Sequence, residues 1–118
     1  ALQKVGLGTV TRVALGTTAT VLTVGSAKTC YIRSIICHNI DTVSSSTIKI
    51  HIVPVSGVSA GTASSINQLA QLSIQPTDTY FFELAYPITL SSDNDTIRVY
   101  NSSTTDAVNV LILGDKEG

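Results

Sequence analysis

The chain has no methionine and no tryptophan, and its aromatic residues are limited to four tyrosines and two phenylalanines in 118 residues. Charge is also scarce. Charged residues make up 13%, and seven Lys/Arg against eight Asp/Glu leave a formal charge of −1, where a typical domain carries about 25% charged residues. Each shortage excludes something. A protein that neutralises nucleic-acid phosphates needs a basic excess, and there is none. Disorder needs low hydrophobicity with high net charge, and 43% of the residues are hydrophobic. No apolar run approaches the ~20 residues of a membrane-spanning helix. The two cysteines, Cys30 and Cys37, say little about redox compartment. The lack of methionine in a chain starting at Ala1 fits removal of an initiator before a small residue, and Ala1 to Gly8 shows no apolar core of a signal peptide.

Hydroxyl residues take the place of the missing charge: 14 serines and 16 threonines, about a quarter of the chain. Val, Ile and Thr dominate, and β-branched side chains suit a pleated surface. The length fits one domain, residues 1–118, able to bury roughly two thirds of its unfolded surface.

The pattern predicts short strands separated by turn chemistry. Thr47 to Val53 alternates Ile48, Ile50 and Ile52 against Thr47, Lys49 and His51, and Pro54 ends it. Thr79 to Leu84 puts Tyr80, Phe82 and Leu84 inward and Phe81 outward. Thr96 to Tyr100 turns Ile97 and Val99 inward, and Ala107 to Leu113 does the same with Val108, Val110 and Ile112. Thr20 to Val24 and Cys30 to His38 also read as strands, joined through Gly25-Ser26-Ala27-Lys28. Ile66 to Ile74 fits a short helix or a strand, with strand preferred. Thr9 to Leu15 reads as a strand, within a segment 1–18 that is either a strand or an arm pairing with a neighbour. About eight strands at spacings near ten residues predict an all-β chain, a single jelly-roll-like β-sandwich.

No catalytic constellation emerges. Gly57-Val58-Ser59-Ala60-Gly61 matches the nucleophile elbow Gly-x-Ser-x-Gly, but both His38 and His51 precede the serine and no helix follows. In a straight strand Cys37 and His38 point to opposite faces. Cys30 and His38 would stand roughly 26 Å apart, and Cys30 and Cys37 roughly 23 Å, too far for one zinc ion or a disulfide. Two free, mostly buried thiols are expected. His51 reads as an exposed or interface side chain on a polar face. Asp93-Asn94-Asp95 reads as a turn rather than a calcium loop. Asn94-Asp95-Thr96 and Asn101-Ser102-Ser103 match glycosylation sequons, which arise easily in so hydroxyl-rich a chain.

What remains are apolar residues on second strand faces: Tyr31, Ile35 and Cys37 opposite Cys30, Ile32 and Ile36; Phe81; and Leu111 with Leu113. Such residues belong either to central strands of a covered sheet or to subunit interfaces. Tyr31, Ile35, Phe81, Leu111 and Leu113 are the interface candidates. Net charge near zero favours close association over repulsion.

The segments together resemble a group of small tailed-phage virion proteins. Thr20-Val21-Leu22-Thr23-Val24-Gly25-Ser26-Ala27-Lys28 is similar to that group's opening strand and its Val-Pro-Ala-Gly-Lys-like turn. Cys30 to Asn39 resembles the next strand, which closes on Asn, and Thr47 to Pro54 a Thr-rich strand ending in Val-Pro. Pro87-Ile88-Thr89-Leu90 with Asn94-Asp95-Thr96-Ile97-Arg98-Val99 resembles a Leu-x-x-Gly-Asp-x-Ile-x-Val hairpin, and Val108 to Gly114 the closing strand. Gly25-Ser26 replaces Pro-Ala, and Asn94 replaces a glycine at a position where Asn tolerates the left-handed conformation.

The resemblance implies a non-enzymatic structural protein of the virion with no cofactor and no metal. Its role would be capsid decoration, cementing adjacent subunits of the major capsid protein, with a homotrimer as the natural form by analogy. A tail, neck or fibre component bound to a tail protein is the alternative. Neither nucleic acid nor membrane is an expected partner. A further alternative is a carbohydrate-binding module for host attachment, with Phe81, Tyr86 and Tyr100 lining its groove.

Overall fold

The computed structural model describes residues 3–6, 11–14, 16–56, 61–103 and 107–117. Nine strands follow in chain order: β1 (Gln3–Gly6), β2 (Thr11–Val13), β3 (Thr18–Thr23), β4 (Thr29–Asn39), β5 (Ser46–Val53), β6 (Gln68–Ile74), β7 (Thr79–Leu90), β8 (Thr96–Asn101) and β9 (Val108–Glu117). A one-turn 3-10 helix, Ser65–Asn67, precedes β6. The segment that fits helix or strand is therefore strand from Gln68 onward.

The strands form two antiparallel sheets. One runs β1-β9-β4-β7, with β2 also pairing β9; the other runs β3-β8-β5-β6. Counting β1 and β2 as one interrupted strand, since both lie along β9, gives eight strands that fill the two sheets in jelly-roll order. The chain is an all-β sandwich. The described parts of segment 1–18 thus pair within their own chain: Gln3 lies opposite Lys116 and Val13 opposite Val108. Val13 is fully buried in the core.

The core is aliphatic and matches the alternation in the sequence. Ile48, Ile50, Ile97, Val99 and Val108 have no exposed surface, and Val110 and Ile112 almost none. Fully burying one such side chain contributes about 1.5–3 kcal/mol, so the two sheets are held mainly by this layer.

β4 departs from strict alternation. Both of its ladders skip Arg33: Ile32 pairs Gly114 and Ser34 pairs Leu113 on one side, while Ile32 pairs Ile88 and Ser34 pairs Glu83 on the other. Arg33 is a β-bulge, and a bulge shifts the inside-outside phase of everything beyond it. Cys30 and Ile32 face inward before it, Ile35 and Cys37 after it. Ile35 is fully buried, which removes it from the interface candidates, and Ile36 takes the outer face instead. Cys30 and Cys37 both face the core as free thiols, whereas His38 lies on the outer face.

Three buried polar side chains tie the strand ends. Asn39 donates through Nδ2 to the carbonyls of Ser44 (3.0 Å) and Ile74 (3.1 Å), joining the end of β4 to the end of β6. Asn101 donates to the Val13 carbonyl at 3.2 Å and accepts from the Ser46 hydroxyl and from Ser103 N–H. Asp95 accepts from the N–H groups of Val55 (2.9 Å) and Ser92 (3.1 Å). Asn94 beside it has φ +71°, as its turn requires, and Ala27 has φ +58°.

Candidate functional site

The outer face of the five-stranded sheet gathers the surviving interface candidates. Ile36 lies opposite Phe81 on β7 and opposite Leu111 on β9, so three apolar side chains form one row across three strands. At about 4.8 Å per strand the row spans about 10 Å. Leu113 follows in the next row beside Ser34 and Glu83, and Tyr31 lies between Thr89 and Asp115 beyond the bulge. Phe81 is 61% exposed; Tyr31, Ile36, Leu111 and Leu113 are half-buried. A depression of about 240 Å³ beside the row is lined by Ile36, His38, Asn109 and Leu111. A second, of about 180 Å³, is lined by Tyr31, Arg33, Asp115 and Glu117. There Arg33 Nε donates to the buried Asp115 carboxylate at 2.6 Å. Sequence reasoning identified four of these five residues and missed Ile36, because no local signal marks a one-residue bulge.

This face ends at an open edge. Among the described residues β7 pairs β4 on one side and no strand on the other, and β6 is likewise an edge of the second sheet. Along β7, Tyr80 and Tyr86 are 41% and 86% exposed in addition to Phe81. Tyr80 was expected in the core, but on an edge strand its ring clears the opposite sheet. Ser34 pairs Glu83 and Ile32 pairs Ile88, so Leu84 to Pro87 bow outward opposite the Arg33 bulge. Glu83 is the one charge on this twelve-residue strand. Natural edges are usually blunted by charge, especially lysine.

The outer face of the four-stranded sheet carries a different surface. A cavity of about 260 Å³ is floored by Thr18, Lys49, His51, Gln68 and Tyr100 and walled by residues 63–65. The wall is fixed by Asn67, whose Nδ2 donates to the Thr62 carbonyl at 2.9 Å and whose Oδ1 accepts from Ser64 N–H at 3.0 Å. The same loop begins at Gly61, where an added Cβ would stand 2.5 Å from the Pro54 carbonyl oxygen. Only glycine lets the chain pass so close to the end of β5.

The loop buries His51 to 6% exposure, against its expected exposed position. Burial pushes its pKa down; the Arg98 backbone acts in the opposite sense, and Lys49 adds to the lowering. Nδ1 of His51 is buried without a hydrogen-bond partner. Such an orphaned atom costs about 1–3 kcal/mol. The Lys49 ammonium lies over the Tyr100 ring, 5.6 Å from its centroid.

Tyr100 belongs to this sheet, while Phe81 and Tyr86 belong to β7 of the other. The three aromatics therefore do not line one groove. The Gly-x-Ser-x-Gly serine lies outside the described residues. Asp95 accepts a backbone N–H on each carboxylate oxygen, as a turn residue does, and Asn101 is fully buried, which closes its side chain to glycan attachment. Among the described residues no group of three or more His, Cys, Asp or Glu is arranged to hold a metal ion.

No protein-family model and no curated protein matches the chain. Among solved structures it is similar to one titled "Structure of infectious bursal disease virus Gt strain", with 6% identity and a TM-score of 0.42. The match covers 98% of this chain and 30% of that one.

Proposed function

We propose that the chain is a non-enzymatic structural protein of a virus particle, a capsid decoration protein that cements adjacent subunits of a major capsid protein in the manner of small tailed-phage virion proteins. The observation that carries the reading is the apolar row Phe81–Ile36–Leu111 lying beside the β7 edge, which no described strand pairs. A surface of this kind exchanges water for protein, and each apolar side chain it covers contributes about 1.5–3 kcal/mol. Repetition over a symmetric shell multiplies modest single contacts through avidity. The jelly-roll order supports the reading by analogy, since viral capsid domains use it, though lectins do as well.

The chain would act as a homotrimer, with β7 and its outer face shared between copies and capsid. Quantitative mass spectrometry of purified particles from its source, measured against the major capsid protein, tests the placement. Hundreds of copies per particle are expected. A few to a few tens would place the chain in the tail or neck and overturn decoration.

A further inference from the structure

We propose that the cavity on the outer face of the four-stranded sheet binds a sugar residue carrying a carboxylate, a hexuronic acid within a glycan, with Lys49 on the carboxylate and His51 on a hydroxyl. The inference stands apart from the assembly reading and uses the opposite face of the sandwich.

The register builds the floor. Lys49 lies opposite Tyr100, and Tyr100 opposite Thr18, so the three follow one another across β5, β8 and β3. His51, one outward position along, lies opposite Gln68 on β6 and Arg98 on β8. Residues 63–65 wall one side of the cavity, and Asn67 holds that loop in place. The site is therefore fixed by strands and a cross-braced turn.

Its chemistry is selective. His51 pairs Arg98 across the ladder, and its ring is more than nine-tenths buried. Its Nδ1 has no hydrogen-bond partner, and the ring borders the cavity. A hydroxyl can both give and accept, so it satisfies either tautomer of the imidazole; a phosphate or sulfate dianion only accepts. Hydroxyl and amide groups of Thr18, Ser64, Gln68 and Tyr100 surround the cavity, able both to give and to accept, as a polyol requires. Lys49 has no carboxylate partner among the described residues; its ammonium meets only the Tyr100 ring. Among the described residues no acidic side chain lines the cavity. A ligand carboxylate would fill that vacancy with a charge-assisted hydrogen bond. The charged or titratable groups on this surface of the neighbouring strands are Lys49, Arg98 and Tyr100, none of them a carboxylate. The volume of about 260 Å³ suits one ring of a longer chain and falls below the usual range for larger ligands.

The test titrates the full chain with galacturonate and glucuronate trisaccharides, a neutral glucose trisaccharide and inorganic phosphate, read by saturation-transfer and chemical-shift NMR. At least one acidic trisaccharide is expected to bind about tenfold more tightly than the neutral one. Phosphate should not displace it. Lys49→Met keeps the aliphatic stem and should erase the tenfold margin. Ala63→Trp should block the cavity and abolish binding, while Val43→Ser, at an exposed loop position outside the cavity, should leave binding unchanged. Thermal melts establish that each variant is folded. The proposal is overturned if no trisaccharide binds the folded wild type at millimolar concentration. It is equally overturned if acidic and neutral sugars bind alike, if phosphate competes, or if folded Ala63→Trp still binds.

Discussion

Cys37 sits in β4 with no exposed surface, and burial pushes its thiol up to about 12. The Cys30 thiol is raised as well, by burial, with Lys116 pulling weakly the other way. Thiolate is the reactive form. Native protein should therefore resist iodoacetamide at pH 8, and both cysteines should be alkylated once the chain is unfolded in guanidinium. Mass spectrometry of the two samples checks this, and rapid native labelling would refute the placement of the pair in the core. His51 gives a pH signature. Its pKa is lowered on folding by burial, so below about pH 6.5 the unfolded chain takes up a proton that the folded chain refuses. Stability should be full above that pH and decline as pH falls towards the lowered folded value. Denaturation curves at pH 7.5 and 5.5 should show a smaller loss in His51→Phe than in wild type. Ala27, with φ +58°, stands in a conformation that suits glycine. Ala27→Gly should raise the unfolding free energy by about 1 kcal/mol, read from the denaturant midpoint.

At the scale of the element, β4 and β7 separate what the sequence discloses from what it conceals. Alternation alone placed Ile48, Ile50, Ile97, Val99, Val108, Val110 and Ile112 in the core, because each lies in a stretch of strand where burial alternates strictly. The same rule misplaced Ile35 and Ile36. A bulge carries no local composition signal, and one skipped residue exchanges the two faces. His51 was misread for another reason: the loop that buries it arrives from residues 61–67, a tertiary effect invisible to local pattern. The bulge implies an asymmetry in length variants. Deleting Arg33 leaves every β4–β9 pair intact, since Ile32 and Ser34 already face consecutive residues of β9. It leaves Asp115 without its partner, at a cost of about 1–3 kcal/mol. Deleting Ile36 would instead turn one half of β4 inside out. Circular dichroism should find the first variant folded and the second not. On β7, Phe81→Lys adds to a free edge the charge that natural edges use against pairing. Where copies associate through β7 as proposed, sedimentation velocity should show weaker self-association at unchanged fold. Association equal to wild type would exclude β7 as the contact.

The whole molecule is a sandwich whose first and last strands are neighbours. β1 and β2 pair β9, and only then do β4 and β7 follow across the sheet. The five-stranded sheet cannot be completed until the C-terminal strand is present, so refolding in stopped flow should take milliseconds to seconds rather than microseconds. The same arrangement gives the sheet two separate borders. Gln3 faces Lys116 at one border of the sheet, and β7 forms the other, three strand spacings or roughly 14 Å away. A probe that quenches the exposed rings of Tyr80, Phe81 and Tyr86 therefore acts at a margin a full sheet width away from the strand that carries Gln3.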